Sequence, residues 1–215
     1  NFFTAGYFFT SRPKWTYYAH EMGHVLLLPD YYLQSGNFDN DSKLQIPVGP
    51  FGAYDLMANQ DGPSRTMNFW SRFLMGWTAD SNLHCNSIED FRDSSFELEP
   101  IDKPSSNLKV AVIRVSPTKA VIVESRRDSR FDELTVRSRN GVIVYTVDTS
   151  INHGQGPLAL VAPKGRGLFT PFRETGGQRQ YDAILYVGNS VEVSGLHITV
   201  NKTGATDTVS ISKQK

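Results

Sequence analysis

The spacing of apolar residues changes character once along the chain. Trp15, Tyr18, Ala19, Met22, Val25 and Leu26 recur at three- and four-residue intervals, which predicts an amphipathic helix from 15 to about 27 with that stripe buried. Pro29 stops it, and Leu28, as the residue before a proline, is steered away from helical dihedrals, so the chain turns over 27–30. A second helix is predicted from about 65 to 75, with Ser64 as N-cap, Phe69, Trp70, Phe73 and Leu74 as its apolar face, and Gly76 as its left-handed exit. Beyond Phe91 short β-branched runs between turn residues take over, at 96–99, 108–115, 120–124, 141–147, 183–187, 196–200 and 208–212. Strands at that spacing predict a mainly antiparallel, sandwich-like β domain. The pattern therefore predicts an α+β chain in two parts, 1–92 and 93–215.

Composition narrows the classes. The 215 residues carry 22 basic and 22 acidic side chains, so no polybasic surface for nucleic acid is expected. A hydrophobic content of 39% with 12% aromatics is enough to build a core. No apolar run approaches the roughly 20 residues that span a bilayer, so no membrane span is expected. The lone Cys85 cannot form an internal disulfide; a buried, inert thiol is the first reading, and pairing with another chain or segment the second. The chain begins at Asn1 rather than methionine, which leads us to expect an incomplete polypeptide.

The chemistry concentrates in the first helix, at His20-Glu21-Met22-Gly23-His24, followed by Asp30. Histidines four apart lie one turn apart on one helical face, so both imidazoles can grip a single zinc ion. Glu21 beside them can reach a water on the metal without being a ligand, the placement a general base needs. Asp30, just past the break at Pro29, can return as third ligand and leave the fourth position open. The competing reading is a core helix with two hydrogen-bonded histidines. A helix stop and a carboxylate at metal-ligand spacing favour the metal site.

These residues resemble the zinc metallopeptidases of the immune inhibitor A type, within the zincin class. The segment HEMGHVLLLPDYY is similar to that group's active-site helix and its trailing Leu-Pro-Asp-Tyr, and Tyr54-Asp55-Leu56-Met57-Ala58 to its later Asp-x-Met segment. The helix leading to Gly76-Trp77 matches in place, and Val123-Glu124-Ser125-Arg126 and Gly141-Val142-Ile143-Val144-Tyr145 resemble the strands that follow the peptidase domain. The resemblance implies a zincin-like catalytic part over 1–92, a hydrophobic support beneath the metal from Met57, and a secreted, extracellular protein acting on proteins or peptides. Two departures stand out. The related metzincin pattern has glycine where this chain has Leu27, so either a left-handed leucine is tolerated at about 1 to 2 kcal/mol or the turn is made differently. Only 19 residues precede His20, so the upstream subdomain expected before this helix would come from a missing N-terminal segment or a second chain.

Weaker signals add little. Asn37-Phe38-Asp39-Asn40-Asp41-Ser42 is a calcium candidate, but it lacks EF-hand spacing and reads better as a solvated loop. Asn40 and Asn201 head glycosylation-type triplets, which count only in a secretory pathway. Arg126, Arg127, Arg130, Arg137 and Arg139 alternate with Asp128, Asp132 and Glu133 and read as a salt-bridged strand surface. His84, His153 and His197 have no companion at ligand spacing and read as structural. No serine-hydrolase elbow or phosphate-binding loop is present in the sequence.

The expected function is peptide-bond hydrolysis by a zinc metalloendopeptidase, with His20, His24 and Asp30 on the metal and Glu21 as general base. The rival is a non-enzymatic extracellular binding or assembly component on a peptidase-like scaffold.

Overall fold

The computed structural model describes residues 14–32, 51–52, 54–58, 66–127, 140–163, 170–171, 179–180 and 183–214. Two α-helices stand among them, α1 (Lys14–Val25) and α2 (Phe69–Leu74), against eleven strands. The strands are β1 (Leu83–Ser87), β2 (Ser94–Leu98), β3 (Val110–Arg114), β4 (Lys119–Arg126), β5 (Gly141–Asp148), β6 (Leu158–Leu160), β7 (Thr170–Pro171), β8 (Arg179–Gln180), β9 (Ser190–Val193), β10 (Leu196–Lys202) and β11 (Asp207–Lys213). This overturns the expected α+β class with a zincin-like catalytic part: the described residues are mostly β-sheet, and no helix-rich catalytic unit forms among them.

The hydrophobic pattern of the strands explains the layering. A five-stranded sheet runs β1-β3-β4-β5-β6, and a four-stranded sheet runs β2-β11-β10-β9; β7 and β8 pair separately. In β3, β4 and β5 the apolar residues are nearly continuous and almost all buried, as required of strands covered on both faces. One face, with Ala111, Ile113, Val121, Val123, Val142 and Val144, packs on Phe96, Leu98, Leu196, Ile198, Val200, Val209 and Ile211 of the four-stranded sheet. Strands β10 and β11 alternate buried and half-buried positions because only their inner face is covered. The opposite face, with Val110, Val112, Ile122, Ile143, Tyr145 and Leu158, packs on Leu28, Tyr31, Phe51, Tyr54, Met57 and Phe69. The described residues at 14–32, 51–52, 54–58 and 66–74 thus supply turns and short helices that pack on the central sheet.

Several elements depart from the sequence pattern for identifiable reasons. Strand β1 was not expected; it is a half-buried edge strand that pairs parallel with β3, so its sequence Leu-His-Cys-Asn-Ser shows no apolar alternation. It carries Cys85 exposed, contrary to the buried thiol expected. The run at 183–187 forms one bridge, Val142 to Leu185, rather than a strand. Helix α2 begins at Phe69, four residues later than expected, because the Asn68 side chain, accepting the Ser71 amide, caps it there. Ser64 and Arg65 lie outside the described residues.

The stripe expected to bury α1 faces outward instead. Tyr18, Met22, Val25 and Leu26 are exposed, Val25 by 73%, while Thr16, His20 and Gly23 turn inward. The inward line repeats at the same helical spacing, so periodicity alone does not say which face is covered. Closeness to Met57 selects it, since only a residue without a side chain fits above that sulfur. No helix of the described residues is long and apolar enough to cross a membrane.

Two buried ion-paired side chains of β4 tie the front layer to the sheet. Glu124 accepts the Phe69 amide at 2.7 Å, the Tyr145 hydroxyl at 3.0 Å and Arg126 Nη1 at 3.0 Å. Arg126 Nη2 donates to the Tyr54 and Thr66 carbonyls at 2.7 and 3.1 Å. Arg126 is therefore turned inward, not part of a surface cluster, and Arg127 pairs with Asp207 at 2.6 Å. Residues 128–139, with the other members of that cluster, lie outside the described residues.

Candidate metal centre

Helix α1 ends by a tight reversal that returns the chain to its own face. The Leu28 amide donates to Gly23 O at 2.9 Å and the Leu27 amide to His24 O at 3.0 Å, with Leu27 at φ +66°. This paired 6→1 and 5→2 pattern is a Schellman motif with leucine in the left-handed position. The strain anticipated at Leu27 is thus accepted. Helix α2 ends in the same pattern with Gly76 at φ +68°, where no Cβ penalty applies. Leu28 then enters the core, and Asp30, itself buried, comes back against His20 and His24.

The result is a compact set of ligand atoms. Asp30 Oδ1 lies 3.2 Å from His20 Nε2 and 3.2 Å from His24 Nε2. In a tetrahedral zinc site with bonds near 2.0–2.1 Å, ligand atoms sit about 3.3 Å apart, which matches the two separations from Asp30. One ligand atom from each of His20, His24 and Asp30 lies within 4.8 Å of the others, and the three residues can hold a metal ion.

Hydrogen bonds behind the rings make the fit specific. His20 Nδ1 lies 3.0 Å from the Leu56 carbonyl and His24 Nδ1 2.9 Å from the Leu28 carbonyl. A carbonyl only accepts, so each Nδ1 carries a proton and each Nε2, the lone-pair atom of the neutral ring, is turned towards Asp30. Both rings are aimed at one oxygen.

The electrostatics favour positive charge at this point. Burial pulls the His20 ring towards its neutral form, but the hydrogen bond and charge of Asp30, with the Leu56 carbonyl, hold its pKa above the usual value. Burial pushes Asp30 upward, and His20, the charge of His24 and the Tyr32 hydroxyl outweigh it, leaving the carboxyl below its usual range. A carboxylate kept ionised between two imidazoles is what a cation requires of its site.

The support beneath the helix comes from residues 54–58. Met57 is fully buried and its sulfur lies against Gly23, between the two histidines in sequence. Its amide donates to Asp55 Oδ1 at 2.7 Å, and its carbonyl accepts the Tyr31 amide at 3.1 Å. Asp55 Oδ2 accepts the Asn68 amide at 2.6 Å and the Ser71 hydroxyl at 3.2 Å, and Tyr31 donates on to Ser71 at 2.9 Å. Burial pushes the Asp55 carboxyl up to about 6, against the pull of the Asn68 and Met57 amides. Asp55 thus joins the segment that carries Leu56 and Met57 to the start of α2.

Glu21 is exposed on the solvent side of α1. It accepts a hydrogen bond from the Tyr17 hydroxyl, and its charge acts on His20. The His24 side chain is 30% exposed and that of His20 5%, so solvent approaches the cluster from the side of His24 and Glu21. His84 packs against Phe96, with ring centroids 4.7 Å apart, and His197 hydrogen-bonds Thr199 at 3.1 Å; neither meets the cluster. His153 does meet it: its Nδ1 accepts the Asp30 amide at 2.9 Å, and its Nε2 lies 3.4 Å from Asp30 Oδ2. No short-range pattern could pair residues 123 positions apart. The calcium candidate at 37–42 lies outside the described residues.

Compared with protein-family models, curated proteins and solved structures, the chain finds no match.

Proposed function

We propose that the chain carries the metal centre of a secreted zinc metalloendopeptidase. The observation that carries the reading is the shared setting of His20 and His24, whose Nδ1 atoms donate to the Leu56 and Leu28 carbonyls while both Nε2 atoms face Asp30 Oδ1. The likeness of HEMGHVLLLPDYY to the immune inhibitor A type metallopeptidases supports the reaction class, with zinc as the metal and proteins or peptides as substrates.

Bound zinc would supply a Lewis acid and lower the pKa of a coordinated water to about 7. His20 and His24 would give it neutral nitrogen ligands and Asp30 a single negative charge. The net positive charge of such a site would offset negative charge developing on the substrate. Glu21, exposed next to the ligands, takes a proton from the attacking water and returns it to the leaving amine.

The test is a pair of variants assayed with an unfolded protein substrate. Glu21→Gln is expected to bind zinc as the parent does and to lose roughly 100- to 10,000-fold in turnover. His20→Ala is expected to lose both. A parent protein with full zinc occupancy and no cleavage would instead favour the non-enzymatic binding or assembly component.

A further inference from the structure

We propose that His153 is a positioning residue of the metal centre, holding the Asp30 backbone so that Oδ1 faces the ion. The inference rests on the metal reading above.

Its ring is set oppositely to those of His20 and His24. A backbone amide can only donate, so His153 Nδ1, which receives the Asp30 N–H at 2.9 Å, must be unprotonated. In the neutral ring the proton is then on Nε2, and that atom lies 3.4 Å from Asp30 Oδ2. Oδ1, the other oxygen, is the one 3.2 Å from both ligand imidazoles. His153 therefore has no lone pair left to offer a metal. Its Nδ1 instead fixes the Asp30 backbone amide, with the ring beside Oδ2, the oxygen that faces neither ligand imidazole.

The neighbouring backbone strengthens the grip. The Gly154 amide donates to the Asp30 carbonyl at 3.4 Å, so the turn after β5 holds the Asp30 backbone through both its N–H and its C=O. The His153 and His24 rings also meet edge to face, with centroids 5.9 Å apart. The third ligand is thus oriented by the β-rich part of the chain, and the centre is completed only when that part is folded against α1. Partners of this kind around a metal ligand usually contribute 10- to 100-fold in metal affinity.

Zinc affinity by chelator competition, measured on the full chain, tests this. His153→Ala is expected to weaken zinc 10- to 100-fold, and His153→Gln, whose amide oxygen can accept the Asp30 N–H in place of Nδ1, to recover most of the loss. Because the His153 side chain is 49% exposed, the metal-free variants should melt within about 2 °C of the parent. Cobalt(II) in place of zinc should give absorption of the same intensity class in parent and variants, since the number of ligands does not change. Unaltered affinity in His153→Ala, no recovery in His153→Gln, or a change in cobalt coordination would each overturn the proposal. A parent that binds zinc while His153→Ala is unaffected discards the role of His153 alone. A parent that takes up no zinc discards the metal centre and this proposal together.

Discussion

Gly23 and Met57 stand so close that a Cβ on residue 23 would lie 2.4 Å from the Met57 sulfur. Alanine in place of this helical glycine would gain about 1 kcal/mol from propensity. Met57 is fully buried and must shift, and overpacking a core costs about 1 to 3 kcal/mol. Overpacking wins. Gly23→Ala should be destabilised by about 1 kcal/mol in urea denaturation and should bind zinc more weakly, since residue 23 adjoins His24. Met57→Ala alone opens a cavity and should cost about 2 to 5 kcal/mol. The double variant should be less destabilised than the sum of the singles; strict additivity would mean the contact is relieved in some other way.

Leu27 gives a change of opposite sign. It sits at φ +66° and is 88% exposed, so its side chain contributes strain at the helix end and almost no burial. Leu27→Gly removes that strain and loosens the unfolded chain, for a net gain of roughly 0.5 to 1 kcal/mol. A rise of about 2 to 3 °C in melting temperature is expected. Leu27→Val, β-branched and harder to place at positive φ, should lower it.

The buried pair on β4 reaches the metal centre through the backbone. Glu124→Ala leaves Arg126 charged in the interior and the Phe69 amide unanswered, a loss of roughly 3 to 5 kcal/mol. Arg126 also holds the Tyr54 carbonyl, one residue before Asp55, so the segment presenting the Leu56 carbonyl to His20 loses its anchor. Calorimetry should show the stability loss, and chelator competition a weaker zinc site in whatever fraction stays folded. A stable Glu124→Ala protein would show that the pair is dispensable.

Acid should expose a separate weak point at Glu99, outside the candidate metal centre. Lys103, Ser105 and Asn107 all donate to Glu99 and hold its carboxyl down at about 2, against a usual 4.5. Between those values the unfolded chain binds a proton that the folded chain does not, so this contribution is whole above pH 4.5 and is lost as pH falls towards 2. Glu99→Gln should flatten that part of the stability profile in urea titrations run from pH 5 to 2. An unchanged slope would assign acid sensitivity in this range to other carboxylates.

What the sequence reveals and what it hides follow from range. Helix α1 falls at 14–25 against an expected 15–27, because Pro29 and the three- and four-residue apolar spacing are local signals. Strands β3, β4, β5, β10 and β11 match their β-branched runs for the same reason. The facing of α1 is not local: it depends on Met57, 34 positions beyond Gly23, and the apolar stripe of Tyr18, Met22 and Val25 points the wrong way. The parallel edge strand β1 is invisible because its half-buried polar residues leave no period to read. The fold class fails on the same ground, since the weight given to one motif-bearing helix exceeds its share of a structure made mostly of strands. His153 is hidden by a separation of 123 residues, whereas His20, His24 and Asp30 are legible because a single helical turn and a proline break bring them together.

The most direct test of the account is an anomalous-difference map collected at the zinc edge from crystals of the chain grown with zinc. It should show one strong peak bonded to His20 Nε2, His24 Nε2 and Asp30 Oδ1, with Glu21 outside bonding distance. A map with no peak between these three side chains, or with zinc held elsewhere while Asp30 stays paired to the two imidazoles, would contradict it.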